Sequence, residues 1–204
     1  MTMTQVFLNY RAVDEPFGVA MLDRELSRRF GSRAVFLASK SIEPGTDWEE
    51  RIFTAVHESA ALLAIIGRNW LDARDDQGRR RIDDPDDIVR KEILLALSLS
   101  KPVIPVRLGI KRLTADQLPE PLAEMLKRQD VEVQFRNHKA DVDHLADKLS
   151  LLIPELRKPA AKKRPTEARF DVSGSPNSVV QGEKVSIKGG FHAGPAFYLG
   201  RGDS

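Results

Sequence analysis

Cysteine is absent from the 204 residues. That excludes disulfides, thiolate metal centres and a cysteine nucleophile, and it fits a reducing compartment. Long apolar runs are missing as well. The longest, Ala60 to Gly67, is roughly a third to a half of what a bilayer span requires, so a buried strand is expected there and no membrane segment. The opening residues MTMTQVFLNYR lack the basic region, apolar stretch and small-residue cleavage site of a secretory signal, and a cytoplasmic protein is expected. His57, His138, His144 and His192 have no metal-like grouping, and the acidic stretch Asp72 to Asp87 lacks calcium-loop spacing, so no metal is expected. No glycine-rich loop stands between a strand and a helix, which removes a P-loop and a dinucleotide fingerprint and leaves no bound cofactor to expect.

What remains is a chain of two halves. Residues 157–204 hold 9 Lys/Arg and 4 Asp/Glu, leaving 23 and 26 for residues 1–156. The first part is mildly acidic, so its core is not expected to bind nucleic acid, whose phosphates ask for a basic face. From Arg157 the text turns basic (RKPAAKKRPTEAR) and then Gly/Ser-rich, with too few apolar residues for a core. A folded domain over 1–156 and a flexible tail over 157–204 are expected, the pieces 178–181 and 184–187 being able at most to pair as a weak hairpin.

Within the domain, apolar strands alternate with helical periodicity. Val6–Leu8 opens a strand. Pro16 to Phe30 has helical spacing and stops at Gly31, and Ala34 to Ala38 reads as a second strand. Glu43-Pro44-Gly45 marks a turn before Asp47, a candidate N-cap for a helix from Trp48 to about Glu58. Leu62–Ile66, Asp87 to about Ser100 and Pro102–Leu108 continue as strand, helix and strand. Glu120–Arg128 is a short helix, Val131–Phe135 an outer strand, and Asp141–Leu156 a closing helix with Val142, Leu145, Leu149, Leu152 and Ile153 on one face. This alternation implies an α/β fold, a flavodoxin-like doubly wound sheet of five parallel strands in the order 2-1-3-4-5.

Four segments in order, VFLNYR (Val6–Arg11), SIEPGTDWEERIFTAV (Ser41–Val56), LLAIIGRNWL (Leu62–Leu71) and DDPDDIVRKEILLAL (Asp83–Leu97) followed by PVIPV, resemble Toll/interleukin receptor (TIR) domains of the bacterial type. The resemblance implies the TIR fold. It also implies one of two functions: cleavage of the nicotinamide N-glycosidic bond of NAD, or non-catalytic signalling by self-association. In both cases the partners are other TIR domains, with homo-oligomers on activation. It assigns Glu43, Pro44, Gly45, Thr46 and Asp47 to the assembly loop (the BB loop), and Glu92 on the third helix to the position of the essential glutamate. The aromatic expected one turn earlier is Ile88 here. Asn9 stands where serine is usual, and Ala38 and Lys40 stand where bacterial relatives are often acidic.

The residues themselves point the same way. At 100° per residue Glu92 emerges between Ile88, Leu95 and Ala96, from an otherwise apolar face, so its carboxyl is either a partly desolvated functional group or pairs with Arg90, Lys91 or Arg81. Tyr10 and Arg11 fall at the carboxyl edge of the first strand, where open α/β sheets bind ligands. Arg11 is either a phosphate partner or a surface residue. Tyr10 is a candidate to stack on substrate, and Trp48 either does the same or packs its helix. A receiver or flavodoxin-like protein would share the sheet order, but neither a phosphoacceptor aspartate after a strand nor a flavin loop is visible.

Overall fold

A computed structural model describes residues 5–157. Strand β1 (Val6–Asn9) leads to helix α1 (Pro16–Phe30), strand β2 (Val35–Phe36), a single helical turn α2 (Ala38–Ser41) and α3 (Trp48–Glu58). Then follow β3 (Ala61–Ile66), α4 (Ile88–Ser98), β4 (Val103–Leu108), the short α5 (Glu120–Ala123), β5 (Val131–Val133) and α6 (His138–Leu152). All pairings are parallel and the strand order is β2-β1-β3-β4-β5, as the alternation of elements implies. The tail and its possible hairpin lie outside the described residues.

Local chemistry sets the boundaries. Proline opens α1 and Gly31 closes it at φ 103°, its N–H donating to Ser27 O, a conformation that disfavours any side chain. Asp47 caps α3 by accepting from the N–H groups of Glu49 and Glu50, and Asp87 caps α4 by accepting from that of Arg90. Pro105 sits inside β4 without breaking the sheet, because pairing to β5 begins only at Val106. The expected second strand is cut to two residues, since the N–H groups of Lys40 and Ser41 turn back to Leu37 O and wind α2.

The sheet carries a core on each face. One joins β1, β3 and β4 to α1 and α6, and the other joins Phe7, Phe36, Trp70 and Ile82 to α3 and α4. On α6, Val142, Leu145 and Leu149 are buried, with Ile153 just beyond it, whereas Leu152 is exposed. The helix begins at His138 rather than Asp141 and breaks before Pro154, which takes Leu152 off the packed stripe. The loop between β3 and α4, highly charged from Asp72 to Asp87, is nevertheless pinned by Ile82 and Asp87, both buried.

Candidate functional site

The carboxyl end of β1 meets the first turn of α4, at the point where strand order reverses between β1 and β3. Three charged side chains converge there. Arg11, just past β1, is 2% exposed, and its guanidinium donates two parallel hydrogen bonds to Asp87, at 2.8 and 3.0 Å. Asp87 also accepts from the backbone N–H of Arg90 at 3.0 Å, and Arg81 approaches it at 3.5 Å. The guanidinium carbon of Arg11 lies 5.9 Å from the ring centre of the buried Trp70, within cation–π range. Arg11 is therefore not the surface residue that was one of its two readings. Its fork is committed to the N-cap of α4, where it ties β1 to that helix.

Asp14 performs a parallel task on the neighbouring loop. Its carboxylate accepts the backbone N–H groups of Gly67 and Asn69, each at 2.7 Å, so the turn after β3 is fastened to the turn after β1. Burial pushes its carboxyl above the usual aspartate range, against the pull of those two amides. Gly67 has to be glycine, because a Cβ would lie 2.1 Å from Glu15 Cγ and 2.8 Å from the Asp14 carboxylate.

Glu92 is 6% exposed. Of its candidate ion-pair partners, Arg90 donates to the carbonyls of Ile82 and Asp83, Lys91 pairs with Asp86 and Glu49, and Arg81 turns to Asp87. The side chain that reaches Glu92 is Asn9, whose Nδ2 donates to Oε2 at 2.6 Å and to the carbonyl of Val89 at 3.0 Å. Burial pushes the Glu92 carboxyl up to about 8; the Asn9 bond works against that, the nearby Asp87 charge adds to it and Arg11 opposes it.

Glu92 lines a cavity of about 270 Å³ together with Tyr10, Arg11, Trp48, Arg81 and Ile88. Every substrate-site residue expected from the sequence thus borders one space. Trp48 is 53% exposed, so it forms the cavity's rim rather than helix packing. Through Trp48, Arg81 and Ile88 this cavity adjoins a second of about 390 Å³, walled by Arg74, Asp75, Asp76, Asp84, Asp86 and Asp87. A larger cavity of about 470 Å³ lies elsewhere, beside Phe17, Leu108, Val133 and Phe135. It has no buried carboxyl comparable to Glu92, so the smaller one is the candidate site. Residues Glu43 to Asp47 stand exposed in the loop that runs into Trp48; Gly45 has φ 86° and Thr46 closes the turn onto Glu43 O.

Sequence reasoning missed two contributors. Asn9 registered only as a departure from the resembled pattern, and Arg81 only as a possible partner of Glu92. Alternation along β1 held a signal for Asn9: a polar residue closing a strand that is apolar at Val6, Phe7 and Leu8 faces either a ligand or a buried polar group. Among the described residues, no group of three or more His, Asp or Glu is placed to hold a metal, and no helix is long and apolar enough to cross a membrane.

Residues 6–150 match the family model described as TIR domain. The chain belongs to the TIR family. A curated relative, a probable 2' cyclic ADP-D-ribose synthase, BdTIR, of Brachypodium distachyon, is 29% identical over 107 residues, which make up 52% of this chain and 42% of that one. The matched part is thus less than half of the relative's length. Among solved structures, the TIR domain of the Toll-related receptor TRR-2 of Hydra magnipapillata is 17% identical, covering 71% of this chain and 96% of that one, with a TM-score of 0.45. The TIR domains of the activated Roq1 resistosome are 18% identical over 74% and 80%, with a TM-score of 0.39.

Proposed function

We propose that this TIR domain cleaves the nicotinamide N-glycosidic bond of NAD, releasing nicotinamide and ADP-ribose or a cyclised form of it. The observation that carries the reading is a carboxyl held almost out of water, with one weakly opposing partner, in the wall of a cavity with an aromatic rim. In NAD the C1′–N bond breaks with its electron pair passing to the pyridinium nitrogen, so nicotinamide leaves neutral and needs no acid. The ribose gains positive charge at the same moment, and a carboxylate beside it stabilises that charge. Water then attacks C1′ and gives up its proton, or a hydroxyl of the same molecule attacks and a cyclic product forms. The Brachypodium distachyon relative, a probable 2' cyclic ADP-D-ribose synthase, is consistent with the second route.

The high proton affinity of Glu92 suits a cationic substrate. Near neutral pH the free site holds a largely protonated Glu92, and a nicotinamide cation entering the cavity favours loss of that proton. Trp48 offers a ring at the rim. Self-association through the loop Glu43 to Asp47 is part of the same proposal, and its exposure supports that role. The test is to incubate the concentrated protein with NAD and measure free nicotinamide, with Glu92→Gln as control. Release by the wild type and none by the variant is expected. A second reading, a scaffold without catalysis, is favoured by Ile88 in the position the resemblance gives to an aromatic, and it predicts assembly without nicotinamide release in either protein.

A further inference from the structure

Asn9 has a position that packing alone does not account for. It closes β1 in register with Ala64 of β3 and is 0% exposed. Both hydrogens of its Nδ2 are used, one on Glu92 Oε2 at 2.6 Å and one on Val89 O at 3.0 Å. Val89 O fixes which way the amide faces, because the flipped orientation would set carbonyl oxygen against carbonyl oxygen. The side-chain oxygen Oδ1 is then left buried with no partner. A fold optimised for stability alone would not keep an orphaned acceptor in an interior strand. The arrangement makes sense when the contact it secures, the one to Glu92, is itself the purpose.

On the reading that Glu92 acts on NAD, we infer that Asn9 is a positioning residue that holds Glu92 in one rotamer and keeps its carboxylate form accessible. With Oε2 committed to Asn9, Oε1 is the oxygen that remains for a sugar hydroxyl. A donor that serves both a backbone carbonyl and a carboxylate on the same helical turn ties β1 to α4 at the site, so the carboxyl cannot swing away as substrate enters. The donation also stabilises the anion in a place where burial opposes it. The other charged or titratable groups around this carboxyl are Asp87 on the cap of α4, Arg11 after β1, Arg81 from the preceding loop and Tyr10. Arg11 and Arg81 are engaged by Asp87. Among the described residues, Asn9 is the side chain that hydrogen-bonds Glu92. A serine at position 9 has a shorter reach and a single hydrogen, and cannot make both contacts.

The experiment follows Glu92 directly, by ¹³C NMR of glutamate-labelled protein, its carboxyl assigned from the signal lost in Glu92→Gln. In the wild type, the Asn9 side-chain amide protons should shift with the same midpoint as the Glu92 carboxyl. In Asn9→Leu and in Asn9→Ser that midpoint should rise by about one pH unit, and the pH of half-maximal NAD cleavage should rise with it. At a pH well above the new midpoint, turnover should stay below that of the wild type, because the rotamer is no longer held. The inference is overturned if the wild-type Asn9 amide does not sense the titration. It is overturned equally if either folded variant leaves the midpoint in place, or if turnover recovers fully once Glu92 is ionised. Absence of NAD cleavage by the wild type would count against the proposed function only, and the NMR titration would still decide whether Asn9 holds Glu92.

Discussion

Replacing Glu92 by glutamine should make the domain more stable, and by an amount that grows with pH. In the folded chain burial lifts the Glu92 carboxyl to about 8, from an ordinary value of 4.5. Between those values the unfolded chain has lost the proton and the folded chain retains it. The folded state therefore binds more protons, and stability falls as pH rises, by about 1.4 kcal/mol per pH unit for this one group. The loss begins near pH 4.5, reaches about 3 kcal/mol at pH 7 and levels off near 5 kcal/mol above pH 8. Glutamine does not titrate. It keeps an acceptor for Asn9 Nδ2.

Urea denaturation at unit steps from pH 4 to 9 measures the difference, and every other titrating group is common to both proteins and cancels. With an m-value of about 1 to 3 kcal/mol per molar, the midpoint gap should widen by more than about 1 M across the series. A gap that stays flat over this range would mean that Glu92 is already ionised in the folded state. The account of the site as a desolvated carboxyl would then be wrong.

Four further outcomes are expected. Asp87→Leu should cost about 3 to 5 kcal/mol by leaving the buried Arg11 unpaired, and adding Arg11→Met should recover part of that loss in the same denaturation assay. Ile88→Trp or Ile88→Phe should lower the KM for NAD by roughly two- to thirtyfold if the ring stacks on nicotinamide, with kcat rising as well only where Glu92 is better oriented; a folded variant with neither parameter changed would remove residue 88 from the nicotinamide pocket. Specific activity should rise with protein concentration and should lose that dependence on substitution of Glu43 or Pro44, as followed by light scattering alongside nicotinamide release. A chain ending at Arg157 should be soluble and melt cooperatively, since α6 already buries Val142, Leu145 and Leu149, and an insoluble product would show that the apolar surface of the domain needs residues beyond it.

The parts of this fold that were legible in the amino-acid sequence are those governed by local rules. Gly31 and Asp47 announced helix ends because capping is a matter of a few adjacent residues. The direction in which Glu92 points followed from helical periodicity. The depth of its burial did not, because that depends on β1, whose Asn9 lies 83 residues away in the chain and closes over it. Arg11 illustrates the limit most clearly. Its partner Asp87 is 76 residues away, and a lone arginine after a strand carries no local signature of a buried fork. The trimmed β2 and the exposed Leu152 have the same origin, in where a chain turns once neighbouring elements are in place.

Helix α4 and its N-cap present two buried carboxylates five residues apart, and their surroundings assign them different work. Asp87 receives three hydrogen bonds, two from the Arg11 fork and one from the N–H of Arg90. Its negative charge is matched within the fold, and nothing is left over for a ligand. Glu92 receives one, from a neutral amide. Its charge has no counter-ion, so the site is stable only while the proton stays on or a cation arrives. That asymmetry is what separates a structural ion pair from a binding group. A neutral ligand would leave the cost of ionising Glu92 uncompensated, whereas a pyridinium ribosyl group supplies a positive charge next to it and adds more at the sugar as the bond breaks. On the proposed function, the same desolvation that destabilises the domain would strengthen the interaction at the moment of cleavage.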